Sequence, residues 1–328
     1  MKKLAVFAVL IFVASTVVPA IGVQETTYTA LPVLSDSEAV ASSPVRIHFP
    51  GDPQPDGGAA IVVPRSTMPV IVPQDGSFVA SVRLDGTPSG WKASLATAYD
   101  PVEIEQRLIV TDTVFNDTTG CWDVIATVPS SLPPDLYNLT VEVECQGELY
   151  QLAVPRAVSI VSEYESRVSF VHLTDFHIGD PRGFKENFQQ TLGWKAAKKS
   201  IQEINLLHPD FVIITGDLVF GQLYPFEYTF EYRTCYEILQ QFDVPTYLVP
   251  GNHDGYIQTG QDGFTFWERY FGPLYYSFDY DDCHFTGVNS YDWPNRSRHA
   301  ISYAAFNWGG HVQVEQLSWI EHDLARHS

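Results

Sequence analysis

Between residues 24 and 165 the chain breaks into short runs in which apolar and polar positions alternate or β-branched residues cluster. They lie at 59–63, 69–72, 77–84, 108–114, 122–128, 137–145 and 152–161. Successive side chains on a strand point to opposite faces, so such a run can bury one face and wet the other. Turn-rich clusters separate the runs, at 51–58 (GDPQPDGG), 85–90 (DGTPSG) and 129–134 (PSSLPP). Short strands spaced between Pro/Gly turns predict an Ig-like β-sandwich. No segment of helical periodicity interrupts it.

Near Glu163 the pattern changes. Residues 168–173, 211–215 and 246–249 are apolar runs of the kind a strand buried on both faces requires. After the first, Leu192, Ala197, Ile201 and Ile204 recur at helical spacing, and residues 230–242 form a second helical stretch. Strands alternating with helices imply βαβ crossovers, hence an α/β sandwich with a mainly parallel sheet. Residues 275–280 and 283–288, split by Asp281-Asp282, read as an antiparallel hairpin. Val314, Leu317, Ile320 and Leu324 predict a last helix over 314–326. The expected organisation is a leader at 1–22, a β-sandwich domain at 23–165 and an α/β domain at 166–328.

Charge narrows the partners. The 328 residues are 45% hydrophobic, which is globular composition, and carry a formal net charge of −20. An acidic surface argues against nucleic acid or an anionic membrane as the main partner, since both attract basic proteins. A phosphate substrate stays possible, because bound cations reverse the local potential. Lys2 and Lys3 followed by the apolar residues 4–18 read as a signal peptide, too short to span a bilayer comfortably. The protein is therefore expected to be secreted or extracytoplasmic, with no membrane span beyond the leader. Cys121 opens one strand-like run and Cys145 closes the next. If these runs pair antiparallel the two sulfurs meet, which predicts a Cys121–Cys145 disulfide. Nothing local places Cys235 beside Cys283.

The chemistry is concentrated just after the three apolar runs of the second half. There stand Asp175-Phe-His177, Gly216-Asp217 and Gly251-Asn252-His253-Asp254. The carboxyl ends of parallel strands form the ligand-binding edge of an open α/β sheet. Asp175, His177, Asp217, Asn252 and His253 would thus gather on one rim. Carboxylate, imidazole and amide oxygen donors suit Zn, Mn or Fe, and no thiolate is on offer. Tyr224, Tyr256, Trp267, Tyr291 and Trp293 fall in segments expected near that rim.

The order Asp-x-His, Gly-Asp, Gly-Asn-His-Asp resembles the first three motifs of the calcineurin-like metallophosphoesterase superfamily, over roughly residues 166–328. The preceding β segment is similar to the sandwich of several exported members. The resemblance implies two metal ions (Mn, Fe or Zn), with Asp175 and His177 on the first, Asp217 bridging both and Asn252 on the second. It implies His253 beside the substrate as proton donor or transition-state stabiliser, and Asp254 orienting the His253 ring. The implied reaction is hydrolysis of small-molecule phosphate mono- or diesters by a hydroxide held between cations about 3.5–4 Å apart. Purple acid phosphatases have a Tyr three residues after the bridging Asp and a Gly where His177 stands; here the first of these is Phe220, so no tyrosinate–iron colour is expected. The family pattern continues with a lone His and then Gly-His-x-His, which His284, His299, His311, His322 and His327 do not form. Each of these reads as a surface residue. The chain is accordingly expected to be the first part of a longer enzyme, the alternative being a non-catalytic exported surface protein with a vestigial metal half-site.

Overall fold

The structure is a computed structural model that describes residues 3–4, 58–97, 104–182, 191–222, 226–258, 260–301 and 309–327. Apart from Lys3–Leu4 (β1), the expected leader lies outside the described residues.

Two sheets built from residues 58–161 share one core. The first has the order β2 (Ala60–Val63), β4 (Ser77–Arg83), β8 (Cys121–Thr127), β7 (Ile109–Asn116). The second runs β3 (Val70–Pro73), β10 (Glu148–Val161), β9 (Asp135–Cys145), β5 (Pro88–Thr97), β6 (Glu105–Arg107). Alternation decides which side chains turn inward. Along β4, Phe78, Ala80 and Val82 are buried while Ser77 and Arg83 are exposed. They meet Val124 and Ala126 of β8 and, from the other sheet, Leu95, Leu139, Val141 and Val154. Each large side chain so buried contributes about 1.5–3 kcal/mol. Pairings are antiparallel except that β3 lies parallel to β10.

The expected Cys121–Cys145 disulfide is absent, and all four cysteines are free. The two runs do not pair with each other. β8 joins β4 and β7, whereas β9 joins β5 and β10, so the cysteines stand in opposite sheets. β9 turns back into β10 through Gln146-Gly147, both at positive φ (53° and 81°), the hairpin turn whose twist matches the strands. A second departure is β5, which starts at Pro88 inside the cluster expected to be a turn. A proline is tolerated as the first residue of a strand, and the register slips between Ser89 and Lys92 around Gly90.

The rest of the chain is arranged around three parallel strands in the order β11 (Phe170–Leu173), β12 (Phe211–Thr215), β13 (Thr246–Val249). They are linked by α1 (Leu192–Leu207) and α2 (Tyr228–Leu239). Val212, Ile214 and Leu248 face one core with Ala197, Ile201 and Ile204 of α1 and Tyr232, Cys235 and Ile238 of α2. Leu192, though at the right spacing, is exposed. Phe211, Ile213 and Tyr247 face the other way, so both faces of this sheet are covered. There Phe278 stacks on Tyr247 at 3.6 Å between ring centres. Phe278 comes from the hairpin β16 (Tyr276–Tyr280)–β17 (Cys283–Gly287), beside which β1 lies. Met68 and Ile71 of the β-rich segment join the same cluster, and the Tyr247 hydroxyl donates to Pro69 O (2.9 Å).

The short pair β14 (Ile257–Gln258)–β15 (Gln261–Asp262), α3 (Gly263–Tyr270) and α4 (Asn295–Ile301) were not expected. Asp262 caps α3 through Phe264 N (2.9 Å) and pairs with Arg298 of α4. The last helix, α5 (Val314–Arg326), has the expected bounds but not the expected contact face. Val314 and Leu317 are exposed, and Gln316 is the buried residue, bonded to Asn289 N and O. His284, expected on the surface, is 1% exposed between the hairpin and α5. Among the described residues no helix is long and apolar enough to cross a membrane.

Candidate metal centre

All three parallel strands end at the same edge, and the loops leaving them are stitched together by the main chain. Asp175 N donates to Gly216 O (3.2 Å), His177 N to Asp217 O (2.9 Å) and Ile178 N to Leu218 O (2.9 Å). Asp175, His177 and Asp217 all have positive φ, at 59°, 46° and 55°. Non-glycine residues seldom adopt that conformation, and it persists where surrounding bonds impose it, as these do. Two glycines permit the close approach. A Cβ on Gly251 would lie 2.2 Å from Asp217 Oδ1, and one on Gly216 would lie 2.5 Å from Gly251 N.

One ligand atom from each of His177, Asp217 and His253 falls within 4.8 Å of the others. His177 Nε2 is 3.4 Å from Asp217 Oδ2 and 3.8 Å from Asp175 Oδ1. Asp217 Oδ1 accepts from His253 N (3.1 Å). Asp175 is the most open of these groups, 52% exposed, with Thr174 Oγ1 2.7 Å from its Oδ2. The Asn252 amide donates through Nδ2 to the Tyr256 hydroxyl (2.5 Å), which leaves its Oδ1 to act as an acceptor. Such donors suit a divalent cation: imidazole and carboxylate in one cluster, two of them nearly buried and set by main-chain bonds.

Burial opposes charge on His177, but the hydrogen bond and charge of Asp217, with Asp175 and Asp254 behind it, raise its pKa. Burial likewise opposes charge on Asp217, and there His177 and His253 prevail and keep the carboxylate ionised. Burial holds His253 below the ordinary imidazole range, against the pull of Asp217.

Asp254 does not orient the His253 ring. That ring is held by Phe220 O, 2.5 Å from Nδ1; a carbonyl only accepts, so Nδ1 carries the proton and Nε2 the lone pair of the neutral ring. The fully buried Asp254 carboxylate takes four backbone N–H groups instead: Asp217 (2.7 Å), Gly251 (2.8 Å), Leu218 (3.0 Å) and Val219 (3.2 Å). It is the clasp that holds the loop after β12 against the loop after β13. Beneath it, Glu231 Oε2 accepts from Gly221 N (2.9 Å) and steadies the segment that presents Phe220 O. Phe220 packs on both imidazoles, with centroids at 5.9 Å from His177 and 5.5 Å from His253. Phe220 was singled out in the sequence only as the residue standing where purple acid phosphatases have a Tyr, not as the acceptor that holds the His253 ring, and Glu231 was not singled out; a lone Glu within the helical stretch 230–242 gave no signal.

Of the aromatic residues expected near the rim, Tyr256 lies beside the His253 ring (5.1 Å) and Tyr291 packs edge-on against Tyr256. Trp267 is instead a core residue packed on Phe271. Tyr224 lies outside the described residues.

Residues 168–325 match the family model described as calcineurin-like phosphoesterase. No curated protein matches the chain. Among solved structures it is similar to a purple acid phosphatase from yellow lupin (Lupinus luteus) seeds, at 15% identity and a TM-score of 0.36. That match covers 76% of this chain and 46% of the lupin chain, so this chain spans less than half of that relative. The BTLA ectodomain matches at 5% identity and a TM-score of 0.22, over 31% of this chain and 98% of that one. TM-scores this far below 0.5 establish no shared fold. The family match coincides with the three parallel strands and the donor cluster at their tips, and it identifies residues 168–325 as similar to the calcineurin-like phosphoesterases.

Proposed function

We propose that the chain is an exported metal-dependent phosphoesterase, with a β-sandwich domain over residues 23–165 and the chemistry in residues 166–328. Its substrates are small-molecule phosphate mono- or diesters. The observation that carries this reading is the convergence of His177, Asp217 and His253 within 4.8 Å at the tips of adjacent strands. Asp175, His177, Asp217 and Asn252 would be the residues that hold the cations, Asn252 through Oδ1. Bound divalent cations would supply positive charge to the phosphoryl oxygens and acidify a water. His253, fixed by Phe220 O, faces the substrate with Nε2; it delivers a proton to the leaving oxygen only as imidazolium, the form that burial disfavours. Export is supported by the leader-like residues 1–22.

The test is hydrolysis of an aryl phosphate with added Mn²⁺ by wild type and Asp217→Ala. A fall of at least about 10²-fold is expected, since one change removes the bridging carboxylate. Equal rates would dismiss the catalytic reading and leave the surface-protein alternative.

A further inference from the structure

The hairpin β16–β17 has two unlike faces. Tyr276, Phe278, Tyr280 and Phe285 enter the aromatic core, while the cross-strand pairs Asp279–His284 and Ser277–Thr286 face α5. Asp323 of α5 settles on this polar face. Its carboxylate accepts from Ser277 Oγ (2.7 Å), Thr286 Oγ1 (3.1 Å) and His284 Nε2 (2.9 Å). One turn further along, His327 stacks on His284, with ring centres 3.7 Å apart and planes 13° from parallel. His327 Nδ1 donates to Asp323 O (2.8 Å), which leaves its Nε2 without a proton in the neutral ring. That Nε2 faces Asp279 Oδ2 at 3.8 Å, and His284 Nδ1 faces Asp279 Oδ1 at 2.7 Å.

We propose that Asp279, His284 and His327 form a second divalent-cation site, of the zinc class, that clasps α5 to the hairpin. One ligand atom of each lies within 4.8 Å of the others. Each imidazole has its far nitrogen anchored on an acceptor of Asp323, the carboxylate for His284 and the carbonyl for His327. This is how metal-binding histidines are held. The 3.8 Å gap between His327 Nε2 and Asp279 Oδ2 is too long for a hydrogen bond. It is within about half an ångström of the roughly 3.3 Å that separates nitrogen and oxygen donors around one tetrahedral zinc. A cation between the two rings and the carboxylate would engage His284 Nδ1, His327 Nε2 and Asp279 at once. Asp279 is 42% exposed, so the site opens to solvent, and three protein donors leave a fourth position for water.

This site is separate from the strand-tip centre. The Tyr280 hydroxyl donates to Asp210 Oδ1 (2.8 Å), just before β12 begins, whereas the first centre lies beyond the other end of that strand. Five residues at about 3.3 Å each put roughly 17 Å between the two edges.

The test is equilibrium dialysis of the metal-stripped full chain against Zn²⁺, counting zinc per chain, for wild type, Asp279→Asn and His327→Gln. Both variants change partly exposed side chains outside the hydrophobic cores. Wild type should bind one more zinc per chain than either variant, or bind that equivalent at least tenfold more tightly. Replacing zinc with Co²⁺ should give a tetrahedral ligand-field spectrum that either substitution removes. As a second measurement, a His177→Ala/Asp217→Asn chain, which loses two of the three clustered strand-tip donors, should still bind one zinc, and adding His327→Gln to it should remove that zinc. Identical stoichiometry and affinity in wild type and both single variants, or no zinc on the double variant, would overturn the proposal.

Discussion

Gly251→Ala is the smallest change that should separate the two strand-tip loops. The added Cβ would sit 2.2 Å from Asp217 Oδ1 and 2.7 Å from Asp217 N. Carbon and oxygen need roughly 3.2 Å or more, so the carboxylate must move by about 1 Å. The main chain cannot yield instead, because Asp217 N and Gly251 N are both bonded to Asp254 Oδ2. The displaced carboxylate loses the His253 N bond and its contact with His177. Overpacking together with one lost charged hydrogen bond amounts to about 2–5 kcal/mol of stability. A ligand misplaced by about 1 Å costs about 10²-fold in rate. The measurements are urea unfolding, Mn²⁺ affinity and aryl-phosphate turnover, with Gly309→Ala as control because a Cβ there meets nothing within 4 Å among the described residues. If Gly251→Ala matched the control in all three, the claim that Gly251 is required by the Asp217 carboxylate would be refuted.

The Asp254 clasp predicts an order of damage: Asp254→Ala should destabilise more than Asp254→Asn, since an amide oxygen still accepts two of the four N–H bonds. Equal urea midpoints for the two variants would contradict that role. Burial and the neighbouring Glu227 push the Glu231 carboxyl up to about 9. The folded chain then keeps a proton that the unfolded chain releases above its ordinary pKa near 4.5, so stability should decline as pH rises from about 4.5 to 9. Glu231→Gln removes that proton exchange, and its unfolding midpoint should fall less between pH 5 and pH 8 than that of wild type; parallel profiles would assign the slope to other groups.

Much of the centre was legible because its parts are local. Asp175-Phe-His177, Gly216-Asp217 and Gly251-Asn252-His253 each follow an apolar run, and a run of that kind specifies a buried strand whose tip must be a loop. What holds the parts together was not legible. Asp254 reaches back to residues 217–219, Glu231 to Gly221, and His253 to Phe220, across separations that no periodicity records. The disulfide expectation failed for a related reason. Alternation tells which side of a strand is buried, not which strand is its neighbour, and β8 and β9 went to different sheets. His284 was misread because a histidine on a two-residue-period strand looks the same whether water or a helix covers it.

The sequence alone determined the βαβ order of the second half and which donor-bearing residues follow its three parallel strands, since each depends on residue chemistry within a few positions of the chain; α3, α4 and the pair β14–β15 were not legible in it. The tertiary structure decided strand partners, the helix face of α5, the bonds that aim His253 and Asp217, and the pairing of His284 with His327. Those depend on distances between residues far apart in sequence, which exist only once the sheets and helices have packed.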